Sequence, residues 1–177
     1  EEKYAFLIIR LNTEGGLESS MRRIVEQIRT ARVPVVVYVA PKGARAASAG
    51  VFITVAADIN AMAPSTNIGA AHPVDMTGKM NEEISKKVTN DAASFIRSIA
   101  EETGHNPNWS ERAVRESVSL TATEARNNNV VDFIAEDLDN LIEQIDGKLI
   151  RKGEKEFILR TEDADIDEFA VSVKSRF

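Results

Sequence analysis

The stretch that decides the fold is VPVVVYVAPKGARAASAG, residues 33–50. Its first half is short, β-branched and almost continuously apolar, as expected of a strand covered on both faces. Its second half sets a single serine, Ser48, among alanines and glycines. AGVFITVAAD follows, an apolar run that suits a short helix. Strand, tight turn, serine and short helix form the layout of a nucleophile elbow. Such an elbow carries glycine two positions either side of the serine, and here these positions are Ala46 and Gly50, both small. The competing reading is that SAG only packs a helix start against a sheet.

Working outward, YAFLIIRL (4–11) reads as a second buried strand. Between the two strands, Leu17, Met21, Ile24, Val25 and Ile28 recur at helical spacing. Strand, helix and strand within this length predict a βαβ unit, hence an α/β fold with a largely parallel sheet flanked by helices. Thr13-Glu14-Gly15-Gly16 closes the first strand and opens the helix. A double glycine there exposes backbone N–H groups able to receive negative charge, which is what an oxyanion hole requires. On its own it reads first as a plain strand-to-helix turn. Both Gly15-Gly16 and Ser48, however, lie beyond the carboxyl ends of predicted parallel strands, where open α/β sheets place ligands.

Further along, NAMAPSTNIGA predicts strand pieces broken by Pro64, and residues 71–83 predict a mobile loop. A long helix is expected from about Glu82 to Thr103, stopped by Gly104. Ser110 is the expected N-cap of the next helix. Thr121 with Glu124 three residues on has the pattern of a capping box, and Asn129 stands where a left-handed C-terminal cap is wanted. VVDFIA predicts a strand, DLDNLIEQID an amphipathic helix, and residues 147–177 a β-hairpin extension turning near Lys152-Gly153. Repeats and a second domain are absent from the pattern, so one domain over 1–177 is expected.

Composition narrows the function. The 177 residues have 43% hydrophobic content, a net charge of −6 and no cysteine. That excludes disulfides and a cysteine nucleophile, and argues against a nucleic-acid partner, which needs clustered basic residues. Neither a signal peptide nor an apolar run of about 18 residues is present, so the sequence reads as a soluble piece trimmed from a longer protein. A serine nucleophile needs a base. His72 in GAAHPVD is within conceivable reach, whereas His105, after a helix stop, is expected in solvent. A lysine removed from water can also take the serine proton. Lys86 and Lys87 both fall well off the apolar stripe of the long helix, Lys87 on its Ile84/Asp91 edge, and periodicity does not choose between them.

The segments TEGG, APKGARAASAG, MAPSTNIGAAHPV, KVTNDAASFIRSIAEETGHN and SLTATEARNNNVVD, in that order, resemble the ClpP-class serine protease domain of NfeD-type membrane proteins. The resemblance spans about residues 4–145. It implies the ClpP/crotonase-like fold of repeated ββα units, shared with the signal peptide peptidase A family. It also implies a Ser-Lys dyad with Ser48 as nucleophile and Lys87 as general base, the latter carried by the match of K-V-T-N to the family's K-x-T-N. Gly15, Gly16 and Ala49 would supply the oxyanion hole, and residues 71–86 the active-site flap. Implied as well are peptide hydrolysis without metal or cofactor, apolar peptide substrates, in some members from a stomatin-like membrane protein, and a homodimer. The parent chain would be membrane-anchored, with this domain on the extracytoplasmic side. Two positions depart from the family pattern: Glu14 replaces the proline of T-P-G-G, and Asn129 replaces a glycine. Two rival readings keep the fold. One is an acyl-CoA hydratase or isomerase-like enzyme, which would leave Ser48 without a role. The other is a non-catalytic scaffold that binds a stomatin-like partner.

Overall fold

The computed structural model describes residues 4–75, 78 and 80–169. β1 (Leu7–Leu11), β2 (Val35–Val39), β4 (Ile59–Met62) and β7 (Phe133–Ile134) form an all-parallel sheet in the order β1-β2-β4-β7. A second sheet contains β3 (Arg45–Ala47), β5 (Asn67–Gly69) and β6 (Ser119–Thr121), with β3 parallel and β6 antiparallel to β5. The remaining elements are α1 (Glu18–Thr30), α2 (Ala49–Val55), α3 (Glu82–Thr103), α4 (Pro107–Arg115), α5 (Ala122–Asn127), α6 (Leu138–Ile145) and a hairpin of β8 (Leu149–Lys152) and β9 (Lys155–Ile158).

β2 shows why its sequence lacks polar alternation. Successive strand side chains point to opposite faces. Val35, Val37 and Val39 enter one core with Met21, Val25, Val51, Val55 and Ile96, from α1, α2 and α3. Val36 and Tyr38 enter a second core with Leu141, Ile145, Ile150 and Leu159, from α6 and the hairpin region. The Tyr38 hydroxyl donates to the Ala135 carbonyl at 2.7 Å, which satisfies the one polar side-chain atom that this strand buries. β1 differs from expectation: among the described residues it is the edge of its sheet, and Leu7 is 46% exposed.

α3 has the predicted bounds. Asn81 caps it by accepting from Ile84 N at 2.9 Å, and Gly104 ends it at φ 76. Residues 82–86 of the expected flap are therefore its first turn, while Met76, Thr77 and Lys79 lie outside the described residues. The capping box of α5 is present, Asn129 has φ 54, and its side chain donates to the Gly104 carbonyl at 3.0 Å. The strand expected over VVDFIA shrinks to Phe133–Ile134. The Val130 and Val131 amides instead bond back to Ala125 O, completing the end of α5.

Two further expectations are corrected. Ser110 is not a cap but lies buried inside α4, donating to Asn106 O at 2.8 Å. Asn106 is the cap, accepting from Trp109 N, and Pro107 follows it at a position where a missing N–H costs nothing. His105 is not solvated but 4% exposed, held by Thr103 Oγ1 at 2.9 Å and Asp132 Oδ1 at 3.3 Å.

The expected hairpin forms, and residues 170–177 of that extension lie outside the described residues. A buried ion pair ties it down. Lys152 Nζ reaches Asp58 Oδ2 at 2.6 Å and Ile28 O at 2.7 Å, with only 8% and 4% of the Lys152 and Asp58 side chains exposed. Asp58 also accepts from Val35 N at 2.8 Å and Arg29 Nη1 at 3.3 Å. Removing one partner of such a pair strands the other's charge away from water. Lys152→Met, which keeps the aliphatic stem, is expected to lower stability by about 3 kcal/mol, the low end for a broken buried pair because Arg29 remains. Urea unfolding of the two proteins measures this, and equal midpoints would contradict it.

Candidate active site

Ser48 stands between β3 and α2 with φ 53 and ψ −114. A non-glycine residue with positive φ is strained by roughly 1–3 kcal/mol and persists only where its surroundings hold it. Here the Ser48 amide donates to Gly69 O at 3.1 Å, and its carbonyl accepts from Val51 N at 3.0 Å. Gly69 has φ 147, and a Cβ there would overlap Val118 O and Ser119, so glycine is required where β5 supports the elbow. Ser48 is partly exposed, and no hydrogen bond engages its hydroxyl among the described residues.

The glycine turn meets this serine. Thr13 forms an isolated parallel bridge with Ala46: Thr13 N donates to Arg45 O at 2.8 Å, and Ala47 N donates to Thr13 O at 3.1 Å. Gly15, with φ 134, comes so close that a Cβ on it would lie 2.9 Å from Ser48 Cβ and 3.2 Å from Ser48 Oγ. The Gly15 amide is turned to Thr13 Oγ1 at 3.1 Å, so Gly15 enters the site through its bare Cα and not as a free donor. The amides of Gly16 and Ala49 have no hydrogen-bond partner among the described residues. Gly50 is needed for a different contact. A Cβ there would lie 2.7 Å from Thr13 Cγ2 and 3.3 Å from Ala46 Cβ.

Glu14 does not leave a lone carboxylate beside this turn: it forms an ion pair with Arg45 on the protein surface. His72 is engaged elsewhere, since its Nδ1 donates to Val114 O at 2.9 Å. The structure does not bring the lysines to Ser48. Lys87 Nζ pairs with Glu83 at 2.9 Å and Lys86 Nζ with Glu82 at 3.0 Å, both within α3 and about three-quarters exposed. The two lysines nevertheless differ in direction. Asp91, one turn after Lys87, reaches Arg22 on α1, the helix that opens at the glycine turn. Asn90, one turn after Lys86, accepts from Arg115 on α4 at 2.6 Å. Residues four apart share a helix face, so Lys87 lies on the α1 side of α3 and Lys86 on the α4 side. Sequence periodicity missed this, because it reports distance from the apolar stripe and not which neighbour each flank meets. The use of Thr13 was also missed, having no signal beyond its place before two glycines.

The model of the NfeD1b N-terminal domain family matches residues 1–168. The chain belongs to that family. It is 38% identical over 144 residues to the membrane-bound protease PH1510 of Pyrococcus horikoshii, covering 80% of this chain and 32% of that protein. It is also 38% identical over 77 residues to the membrane protein NfeD1b of Bacillus subtilis, covering 44% of this chain and 17% of that one. The chain thus spans a third or less of the length of these membrane-bound relatives. Among its own described residues, no helix is long and apolar enough to cross a membrane. Its structure resembles that of the 1510-N membrane-bound stomatin-specific protease, solved as a lysine-to-alanine variant with a substrate peptide, with a TM-score of 0.86 at 32% identity, covering 96% of this chain and 80% of that one. A serine-to-alanine variant of the same protease matches equally well. ClpP1 of Listeria monocytogenes, at 21% identity and a TM-score of 0.60, shares the fold.

The packing at the elbow predicts an asymmetry between two glycines. Gly50→Ala is expected to cost about 1–3 kcal/mol by overpacking against Thr13. Gly16→Ala, with no atom within 4 Å of its Cβ, is expected to change stability by less than about 0.5 kcal/mol. Thermal unfolding of both variants distinguishes them, and equal losses would contradict the contact.

Proposed function

We propose that this domain is a serine endopeptidase that cleaves apolar peptide segments with a Ser48-Lys87 dyad. The observation that carries the proposal is Ser48 itself, strained, accessible, unbonded at its hydroxyl and set against the Gly15 turn. In the reaction, Lys87 as the neutral amine accepts the Ser48 proton while Oγ attacks the scissile carbonyl. The amides of Gly16 and Ala49 receive the resulting oxyanion. Lys87 then returns the proton to the leaving amine, and water releases the acyl group from Ser48. Reaching Ser48 requires the Lys87 side chain to leave Glu83 and turn inward, where exclusion of water by a bound peptide would favour the neutral amine over the charged one. The exposed apolar side chains of Leu17, Val74 and Ile84 lie close in sequence to the glycine turn, the expected flap and Lys87, and suit an apolar substrate.

The likeness to a stomatin-specific protease supports a stomatin-like membrane protein as the source of that peptide. Family resemblance alone supports a homodimer, the chain acting as one domain, and its place on the extracytoplasmic side of a membrane to which other parts of the parent protein anchor it. A second reading, a non-catalytic scaffold on the same fold, is favoured by one observation: Lys87 is 74% exposed and bound to Glu83.

Cleavage of an apolar peptide taken from the C-terminal region of a stomatin-like protein decides between them. Ser48→Ala and Lys87→Ala are each expected to lower kcat/KM by at least about 1,000-fold, with unfolding temperatures close to the parent's. Lys86→Ala is expected to retain most of the activity. Full activity in either dyad variant would end the proposal, and a parent protein that binds the peptide without cleaving it would establish the scaffold.

A further inference from the structure

We infer that Thr13 is a positioning residue whose hydroxyl locks the Gly15-Gly16 peptide in the orientation that offers an N–H to the reaction. The inference rests on the peptidase reading above and names a residue that this reading does not use. Two glycines in succession give a turn with no side chain to fix it and with free access to both signs of φ. Left alone, the peptide between them can rotate and present its carbonyl oxygen where a donor is needed, and an oxygen there would repel an oxyanion. Something must therefore hold the peptide.

The Thr13 hydroxyl does so from both ends of Gly15. It accepts from Gly15 N at 3.1 Å and donates to Gly15 O at 3.2 Å. The second bond is the decisive one. Gly15 O and Gly16 N–H belong to the same peptide unit, and in a trans peptide they point in opposite directions. Fixing the carbonyl on Thr13 therefore directs the Gly16 N–H away from it, and that amide has no other partner among the described residues. The first bond occupies the Gly15 amide, which leaves Gly16 and Ala49 as the donor pair.

Thr13 can serve as a lock because it is itself immobile. Its N–H and carbonyl are both bonded to β3, the strand that leads into Ser48. Its methyl group occupies the space that a side chain on residue 50 would need, at the start of α2. One residue thus refers the donor turn, the nucleophile strand and the nucleophile helix to a common frame. The hydroxyl and the methyl group have separable tasks, so they can be tested separately.

Thr13→Val keeps the branched shape and the methyl contact but removes the hydroxyl. Thr13→Ser keeps the hydroxyl and loses the methyl. With a peptide substrate, Thr13→Val is expected to lower kcat roughly 10- to 100-fold, somewhat less than outright loss of an oxyanion donor, with KM nearly unchanged. Inhibition by a peptide boronate, whose tetrahedral serine adduct places an oxygen in the hole, should weaken in parallel. Thr13→Ser should recover most of kcat despite a lower unfolding temperature. Wild-type kcat in Thr13→Val, or equal impairment in the two variants, would overturn the inference. A high-resolution crystal structure of Thr13→Val provides a readout independent of turnover: the Gly15-Gly16 peptide is expected to be rotated or split between two orientations, and a single unchanged orientation would also overturn it. If the parent protein cleaves nothing, the peptidase reading fails and this structure still decides the role of Thr13. Thr13→Ala repeats the comparison if the Val variant does not fold.

Discussion

One backbone bridge, Thr13 to Ala46, joins the two sheets at the point where the chemistry would occur. β1 belongs to the parallel sheet and β3 to the small mixed sheet, and beyond this bridge the chain diverges into the glycine turn on one side and Ser48 on the other. The strain at Ser48 is of order 1–3 kcal/mol. A net hydrogen bond contributes about 0.5–1.5 kcal/mol. Two bonds at the bridge, one from Ser48 N to Gly69 O and one from Val51 N to Ser48 O are therefore enough to hold the serine in a conformation that it would leave if free. The small residues of AASAG follow from the same constraint. Gly50 is bare because Thr13 Cγ2 and Ala46 Cβ lie where its side chain would be, and Gly69 is bare because Val118 O and Ser119 lie against it.

The sequence revealed the elements whose signals are local. β2 has no polar face because cores lie on both sides of it, and a run of five buried residues is visible without any partner. The ends of α3 and the capping box of α5 are visible because caps satisfy backbone groups within a few residues. The errors arose where a distant neighbour decided the outcome. Nothing in YAFLIIRL announces that, among the described residues, its strand lies at the edge of the sheet. His105 follows a helix stop and so resembles a surface residue, but Asp132, 27 residues on, accepts it into the interior. Ser110 matched a cap by type, while Asn106-Pro107 just upstream satisfied the first turn better. Lys152 stands beside a hairpin turn, where solvent is the default, yet it reaches Asp58 across 94 residues of sequence.

The candidate site divides along the same line. Ser48, Ala49 and Gly50 are contiguous, and the double glycine is identifiable as a turn, so that half was legible. That the two halves touch was inferred only from their common position beyond strand ends, and the bridge at Thr13 is the contact that makes it so. The lysine was the least legible part, because its role depends on a rotation about α3 that only the flanking helices reveal.

The position of Lys87 bears less strongly against catalysis than its exposure suggests. An exposed i,i+4 ion pair is worth about 0.3–0.5 kcal/mol, roughly a factor of two in population. Glu83 therefore cannot confine the amine, and the larger cost of bringing Lys87 to Ser48 is the desolvation of its charge. The arrangement at Ser48 weighs more heavily, because positive φ, which Ser65, Ala70 and Ser117 share, here coincides with a partly exposed hydroxyl and the close approach of Gly15. Packing a helix start against a sheet can be done by an unstrained alanine, whereas an accessible hydroxyl at positive φ, beside two amides without a partner among the described residues, is the arrangement that attack on a carbonyl would use. The disposition of the backbone thus favours the peptidase over the scaffold, and it does so independently of where Lys87 rests in the absence of a peptide.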